Sequence, residues 1–413
     1  MTEDEPVIVA RYREVLSLPG LRALLLVAIL ARLPVSAVGV TLTMHVALTL
    51  DRGYGAAGAV AAASTVGAAL GNPLMGRLTD RYGVRPVLAL TTTAQCVTWL
   101  VAPWLPYGAL LVLGLFAGLL ALPVFGVVRQ SLAAMVPEEQ RRAAYSLDSM
   151  SVELSFAVGP ALGVLLSTQI SSRLSMLAIA GAMLLAGLLL YLLNPPVRSA
   201  AELAGAPEVV SRRSWLTPRL IVVLCASTGA TVVLSGTDVA IVALLQPRGE
   251  VSWAGLVIAM WCLWSLLGGF VHGAVRRPLP LAALLAVLCV ATVPVGMAEH
   301  WWLLALALLP AGLACAPTLA ASSDHVSRLA PPSARGEAMG LHGSALTIGS
   351  AMGAPLVGFV VDRAPHPGWG FVAAGVGGLV IGLVGLLVWF FGRDRGAPAV
   401  PREVATTAQQ TVY

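Results

Sequence analysis

The chain has 413 residues, of which 58% are hydrophobic and 11% charged, and its mean hydropathy is +0.85. A water-soluble globular domain could not cover so much apolar surface, so that class is excluded. The net charge of +5 does not require a nucleic-acid partner. Basic residues on the inner face of a membrane protein, beside anionic lipid, account for it.

Taken in order, the apolar runs are roughly 20 residues long and do not alternate, which predicts membrane helices. A linker at 194–218, rich in Pro and Arg, separates six runs from six. We therefore expect an N-terminal six-helix bundle over 1–193, a cytoplasmic linker over 194–218, a C-terminal six-helix bundle over 219–392 and a cytoplasmic tail over 393–413. The twelve expected spans are 21–49, 56–76, 86–103, 108–135, 143–167, 173–193, 219–245, 252–274, 279–298, 301–328, 338–361 and 370–391.

An internal repeat supports this division into halves. Gly118 to Gly163 aligns without a gap on Gly312 to Val357, which lies 194 positions later. Each copy has an apolar segment with a central proline, a short loop and a second apolar segment rich in small residues. Such a repeat predicts two similar bundles related by pseudo-symmetry.

The basic residues set the expected orientation. All 25 are arginines, and 19 of them lie in segments that face the cytoplasm if the N-terminus does. The positive-inside rule predicts that both termini are cytoplasmic. We expect the protein to lie in the plasma (inner) membrane.

Signatures of enzymes are absent from the sequence. Without lysine it has no Walker A motif, and it has neither HExxH nor CxxC. Its five cysteines lie inside apolar runs with no metal-like spacing. We expect no enzymatic activity, cofactor or metal.

Between the second and third spans stands GRLTDRYGVR, which begins at Gly76. Any cytoplasmic loop can hold arginines, but this pattern resembles the GxLaDrxGr signature of the major facilitator superfamily. Thr79 and Pro86 depart from the signature. The resemblance implies the twelve-helix fold of that superfamily, a monomer, and an aspartate that docks on the positive end of the eleventh helix and latches the outward-open form. The matching residues are Gly76, Leu78, Asp80, Arg81, Gly83 and Arg85.

The fifth span has small residues on one face, which by itself predicts close helix packing. Gly159, Pro160 and Gly163 also resemble the antiporter signature GxxxGPxxGG, from which Ser155 and Val164 depart. This second resemblance favours efflux over uptake.

Charged residues at membrane depth are costly unless paired or hydrated, and they indicate the mechanism. Estimated depths place Arg32 and Glu153 near mid-membrane, and Arg129 and Asp148 roughly 10 Å toward the cytoplasm. We predict the pairs Arg32 with Glu153 and Arg129 with Asp148.

The repeat adds a third predicted pair, Asp324 with His342, in the second half. Asp238 is expected to stand alone. These seven residues are candidates for proton coupling or substrate binding. The alternative is that they form structural salt bridges that brace the bundle.

Together these observations predict a secondary transporter that exports a small organic or amphipathic compound in exchange for protons. A proton symporter for uptake is the alternative within transport, favoured if Arg32 binds an anionic substrate. A membrane sensor that transports nothing, or an integral membrane enzyme, is the alternative from another class.

Overall fold

The computed structural model describes residues 5–204, 210–275 and 277–393. Over these residues it consists of helices and connecting turns, without β-strands. The predicted tail beyond residue 393 lies outside the described residues, as does the middle of the linker. The helices are α1 (Glu5–Ser17), α2 (Leu21–Met44), α3 (Gly53–Tyr82), α4 (Val84–Val101), α5 (Tyr107–Leu119), α6 (Val124–Met135), α7 (Arg141–Gln169), α8 (Ser172–Leu193), α9 (Ala200–Ala204), α10 (Arg212–Trp215), α11 (Pro218–Leu245), α12 (Ala254–Ala274), α13 (Leu281–Thr292), α14 (Trp301–Ala307), α15 (Leu309–Leu329), α16 (Arg335–Val361) and α17 (Trp369–Arg393).

Each predicted span coincides with a helical segment. Within the described residues, nine segments are long and apolar enough to cross a membrane, and the bent pair α14 and α15 makes a tenth. The other two predicted spans are α3 and the short apolar segment Leu281–Met297.

Packing within each half follows the internal repeat. In the first half α2 packs against α7 and α8, while α3 packs against α5. In the second half α11 packs against α16 and α17, while α12 packs against α15. The small-residue face of α7, with Gly159 and Gly163, contacts α2. The matching face of α16, with Gly349 and Gly353, contacts α11.

The aligned prolines of the repeat behave differently in the two halves. Pro123 stands in a break between α5 and α6, whereas Pro317 lies inside α15. The second half bends instead between α14 and α15, by 44°. The sequence repeat thus preserves the helices but not the position of the bend.

The two halves meet through α3 with α16, α7 with α12 and α15, and α6 with α16. The close contacts lie toward one end of the molecule, where α1, α9, α10 and the loop after α3 are found. We call this the linker end. Farther from that end, contact between the halves reaches Ser344, whose hydroxyl donates to the carbonyl of Ala69 (2.6 Å), and Glu153. The structure is therefore closed at the linker end.

Candidate functional site

Two arginines and one aspartate form a buried cluster inside the first half. Asp148 of α7 accepts from Arg32 Nη2 at 2.5 Å and from Arg129 Nε at 3.2 Å. All three are buried, with 0–3% of their surface exposed. Arg32 also donates to Ser151 Oγ at 2.6 Å, and the ring of Phe125 lies 5.0 Å from its Cζ. One carboxylate thus balances two guanidinium groups, which leaves the cluster with a net positive charge.

The predicted pair of Arg129 with Asp148 is present, but the predicted pair of Arg32 with Glu153 is wrong. Both acids lie on α7, five positions apart, which is a rotation of about 140° around a helix. Asp148 therefore faces α2 and α6 inside its own half, while Glu153 faces α12 and α15 of the other half. The estimated depths of Arg32 and Glu153 in the membrane are similar, but their side chains point in different directions around their helices.

Glu153 binds neutral partners across the boundary between the halves. Its Oε1 accepts from Ser265 Oγ at 3.1 Å and lies 3.4 Å from Cys315 Sγ. Ser265 Oγ in turn accepts from the Ala316 amide at 3.1 Å. Glu153 is half-buried.

Asp238 of α11 lies close enough to Glu153 for the two carboxyls to interact electrostatically, and both also act on Cys262. The Asp238 side chain is exposed. In the part of the chain that the structure describes, neither carboxyl forms an ion pair. Two acids from different halves are therefore within electrostatic range of each other, and neither is part of an ion pair in the described residues.

The predicted pair of Asp324 with His342 is also wrong. Asp324 instead accepts from Arg328, one turn along α15, at 3.0 Å. In the repeat Arg129 aligns with Ser323, so Asp324 is turned by about 100° from the direction of the first-half cluster. His342 contacts Arg129 Nη1 (3.2 Å) and Ser322 Oγ (3.0 Å). His342, which aligns with Asp148 in the repeat, thus contacts Arg129 of the other half.

At the linker end, Asp80 lies on the N-terminus of α16. Its two carboxylate oxygens accept from the amides of Gly336 (2.9 Å) and Glu337 (2.8 Å). Gln130 Nε2 donates to the same carboxylate at 2.9 Å. A helix N-terminus has free amides and partial positive charge, so a carboxylate is favoured there. This contact joins α3 of the first half to α16 of the second.

The other residues of the signature serve the backbone and the surface. Gly76 packs so tightly that an added Cβ would overlap the carbonyl oxygen of Gly336. Gly83 follows α3 with a φ of 85°, a left-handed conformation that suits glycine. Arg81 stacks on Tyr82, and Arg85 packs over the ring of Tyr191.

A second contact at the linker end joins α1 and α7 to the carboxyl end of α12. Tyr12 of α1 donates its hydroxyl to the carbonyl of Phe270 at 2.6 Å, and Arg11 Nη1 donates to Ala274 at 2.8 Å. Arg142 of α7 donates to the carbonyl of Val275. Cationic donors suit a helix C-terminus, where unpaired carbonyls and partial negative charge lie. The halves are thus joined at the N-terminus of one helix and at the C-terminus of another.

The linker reinforces this end through ion pairs with the first turn of α16. Arg335 binds Glu202 of α9 at 2.8 Å, and Glu337 binds Arg212 of α10. Arg198 donates to the backbone carbonyl of Asp80 at 3.1 Å.

Sequence reasoning missed the neutral partners of the charged residues, namely Gln130, Ser151, Ser265, Cys315 and Ser322. A hydroxyl or thiol in an apolar run carries no sequence signal that distinguishes a partner from packing. It also missed the role of α1, which contacts the second half through Arg11 and Tyr12. In the described ranges, no group of three or more His, Cys, Asp or Glu residues is placed to hold a metal ion.

Comparison with known proteins agrees with the helical arrangement. A family model described as Major Facilitator Superfamily matches residues 24–293 and 241–411. No curated protein matches the chain.

Several solved structures are similar to this chain. A bacterial homologue of the iron transporter ferroportin, in an outward-facing state, has a TM-score of 0.69 at 16% identity, over 92% of this chain and 100% of that one. The proton:xylose symporter XylE has a TM-score of 0.67 at 13% identity, over 89% and 96%. The human organic anion transporter MFSD10 (TETRAN) has a TM-score of 0.62 at 18% identity, over 95% and 100%. At such identities the likeness shows the fold alone.

Proposed function

The chain belongs to the major facilitator superfamily, and from this premise we propose that it exports a small organic or amphipathic compound in exchange for protons. Its coupling acids are Glu153 and Asp238. The bundles 1–193 and 219–392 rock against each other as a monomer, and the linker 194–218 joins them. The linker end and both termini face the cytoplasm of a plasma membrane, so the closed linker end corresponds to an outward-facing state.

The observation that supports coupling most strongly is the pair of carboxyls without a cation. Glu153 comes from the first half and Asp238 from the second, and their carboxyls are within electrostatic range of each other. A carboxylate in such surroundings gains by taking up a proton or by binding a compound that replaces the proton. Because the acids belong to different halves, movement of the halves changes their separation. Protonation and conformation are therefore linked.

The arginine cluster has a positioning role in this proposal. Arg32 and Arg129 are both held by Asp148 away from open space. They fix α2, α6 and α7 relative to one another and present Arg129 to the second half. An anionic substrate would have to displace Asp148 to reach Arg32, which favours export over the alternative of uptake.

The direction of transport is tested in membrane vesicles. The compound is first chosen by a thermal-shift screen of metabolites and antibiotics on the purified protein. Everted vesicles with an acidic interior should accumulate that compound, because protons leaving the lumen drive it inward. Accumulation in right-side-out vesicles alone would indicate uptake, and a screen in which no compound moves would favour a sensor.

The two acids are tested by neutral substitutions of nearly equal size. We expect Glu153→Gln and Asp238→Asn each to abolish proton-driven accumulation while the protein remains folded, since neither acid forms an ion pair that supports the fold. Accumulation in vesicles and thermal unfolding are measured together. Glu139→Gln, which neutralises an exposed acid in the loop after α6, is the control and should transport like the wild type. Full transport by both test variants would remove these residues from the coupling mechanism.

A further inference from the structure

His342 of α16 is fully buried and links the two halves of the chain. Its Nδ1 lies 3.2 Å from Arg129 Nη1 of the first half, and its Nε2 lies 3.0 Å from Ser322 Oγ of the second. Through Arg129 it is connected to Asp148 and Arg32. The imidazole therefore stands between a buried cationic cluster and the neighbouring helix of its own half.

The hydrogen bonds determine the charge and tautomer of this imidazole. A guanidinium group only donates, so Nδ1 must accept from Arg129 and carries no hydrogen. Ser322 donates its own hydrogen to the carbonyl of Leu319 at 2.9 Å, which leaves its oxygen free to accept from Nε2. His342 is thus neutral, with its hydrogen on Nε2, and this is the form that fits the closed linker end.

The charged groups on the helices around His342 are engaged elsewhere, except Arg129. Asp80 of α3 is bound by the first turn of α16, Asp324 of α15 is paired with Arg328, and Asp238 of α11 lies near Glu153. On α16 itself, Arg335 and Glu337 are paired with the linker. Helix α17 carries no ionisable residue before Arg393. In the described part of the chain no carboxylate is bonded to His342, so a proton on Nδ1 would have no anion to stabilise it in this state.

We propose that His342 is a proton-dependent latch between the halves, in which the neutral imidazole holds the linker end closed and a proton bound at Nδ1 releases it. A protonated Nδ1 would point its hydrogen at the donors of Arg129. The hydrogen bond between the halves would be lost, and two buried cations would lie next to each other. Separation of α16 from α6 removes both penalties.

The latch couples opening of the linker end to the proton that the exchange cycle carries. Its role in the cycle rests on the proposed exchange, in which protons enter from the outer side and the linker end faces the cytoplasm. Protonation in the closed state opens the linker end, the proton then leaves Nδ1 for the cytoplasm, and the neutral imidazole can accept from Arg129 again when the halves return. One histidine thus makes opening toward the cytoplasm conditional on a proton.

The test measures opening of the linker end directly and needs no substrate. Spin labels are attached through unnatural amino acids at Tyr82, at the end of α3, and at Arg277, after α12, so that the native cysteines remain. Both positions are exposed. In the purified full-length protein we expect the longer distance to gain population when the pH falls from about 8 to about 5.5.

Two substitutions at the latch separate charge from contact. In His342→Gln the amide can accept from Arg129 and donate to Ser322 but cannot be protonated, so the short distance should persist at both pH values. In His342→Ala the contact is lost, so the longer distance should be more populated at both. His325→Gln is the matched control, because His325 is exposed and its ring contacts the carbonyl of Ala321 in its own helix. It should respond to pH like the wild type.

The latch is overturned if wild-type distances do not change with pH, or if His342→Gln responds to pH like the wild type. Either result leaves the vesicle experiment intact. The proposal of proton-driven export that depends on Glu153 and Asp238 would then remain supported, but without a latch at His342. Conversely, the spin-label distances could respond to pH as expected while Glu153→Gln transports fully. That outcome would contradict the role of Glu153 in coupling but would leave the latch at His342 supported.

Discussion

Asp148→Asn should destabilise the protein more than any other single substitution of a charged side chain discussed here. The substitution leaves Arg32 and Arg129 buried beside each other without a counter-charge. Breaking a buried ion pair from one side costs about 3–5 kcal/mol. We expect a large fall in the midpoint of thermal unfolding in detergent, monitored by tryptophan fluorescence.

Asp324→Asn provides the matched control, since it removes a carboxylate from an ion pair whose cation is exposed to water. Its partner Arg328 is 39% exposed, and such pairs contribute about 0–1 kcal/mol. A double variant, Arg32→Gln with Asp148→Asn, restores the original net charge of the cluster and should recover part of the lost stability. If Asp148→Asn and Asp324→Asn lowered the unfolding midpoint equally, the cluster would not hold the first half together as described.

Gly76→Ala should open the linker end without unfolding either half. The added methyl group would overlap the backbone oxygen of Gly336, and backbone atoms can yield only if α16 moves away from α3. Overpacking of this kind costs about 1–3 kcal/mol, which corresponds to a roughly 5- to 150-fold shift between two states. The amides of Gly336 and Glu337, bonded to Asp80 in the closed state, should exchange hydrogen for deuterium faster by a similar factor.

Gly58→Ala is the control for this experiment, because it lies on the same helix and an added Cβ there meets no atom within 4 Å. Its exchange should match that of the wild type. Unchanged protection of Gly336 and Glu337 in Gly76→Ala would mean that the contact between α3 and α16 does not control closure.

The fold was accessible from the sequence because lipid allows few structures. Long apolar runs must form helices, and all twelve predicted spans fall on helical segments of the structure, although their bounds differ by several residues. The small-residue faces around Gly159 and Gly353 were also visible, since close helix contact requires small side chains. The bend at Leu308 was not predicted, although Pro310 lies two residues later, in the first turn of α15.

The candidate site was predicted only in part, since depth in the membrane gives one coordinate of a side chain and not its direction. The sequence placed Arg129 beside Asp148 but assigned Arg32 to Glu153, which points to the other half. The repeat placed His342 at the position equivalent to Asp148, but the partner of His342 is Arg129 of the other half. Contacts between halves leave no spacing pattern in a single sequence, so they required the structure.

In the exchange that we propose, protons and the transported compound compete at Glu153 and Asp238. The most direct test of this competition is proton release on binding, measured with a pH indicator in weakly buffered detergent solution. The purified protein receives the compound chosen by the thermal-shift screen. We predict that the wild type releases protons as the compound binds and that a double variant, Glu153→Gln with Asp238→Asn, releases none. Binding to the wild type without proton release, or equal release from the double variant, would contradict exchange at these two acids.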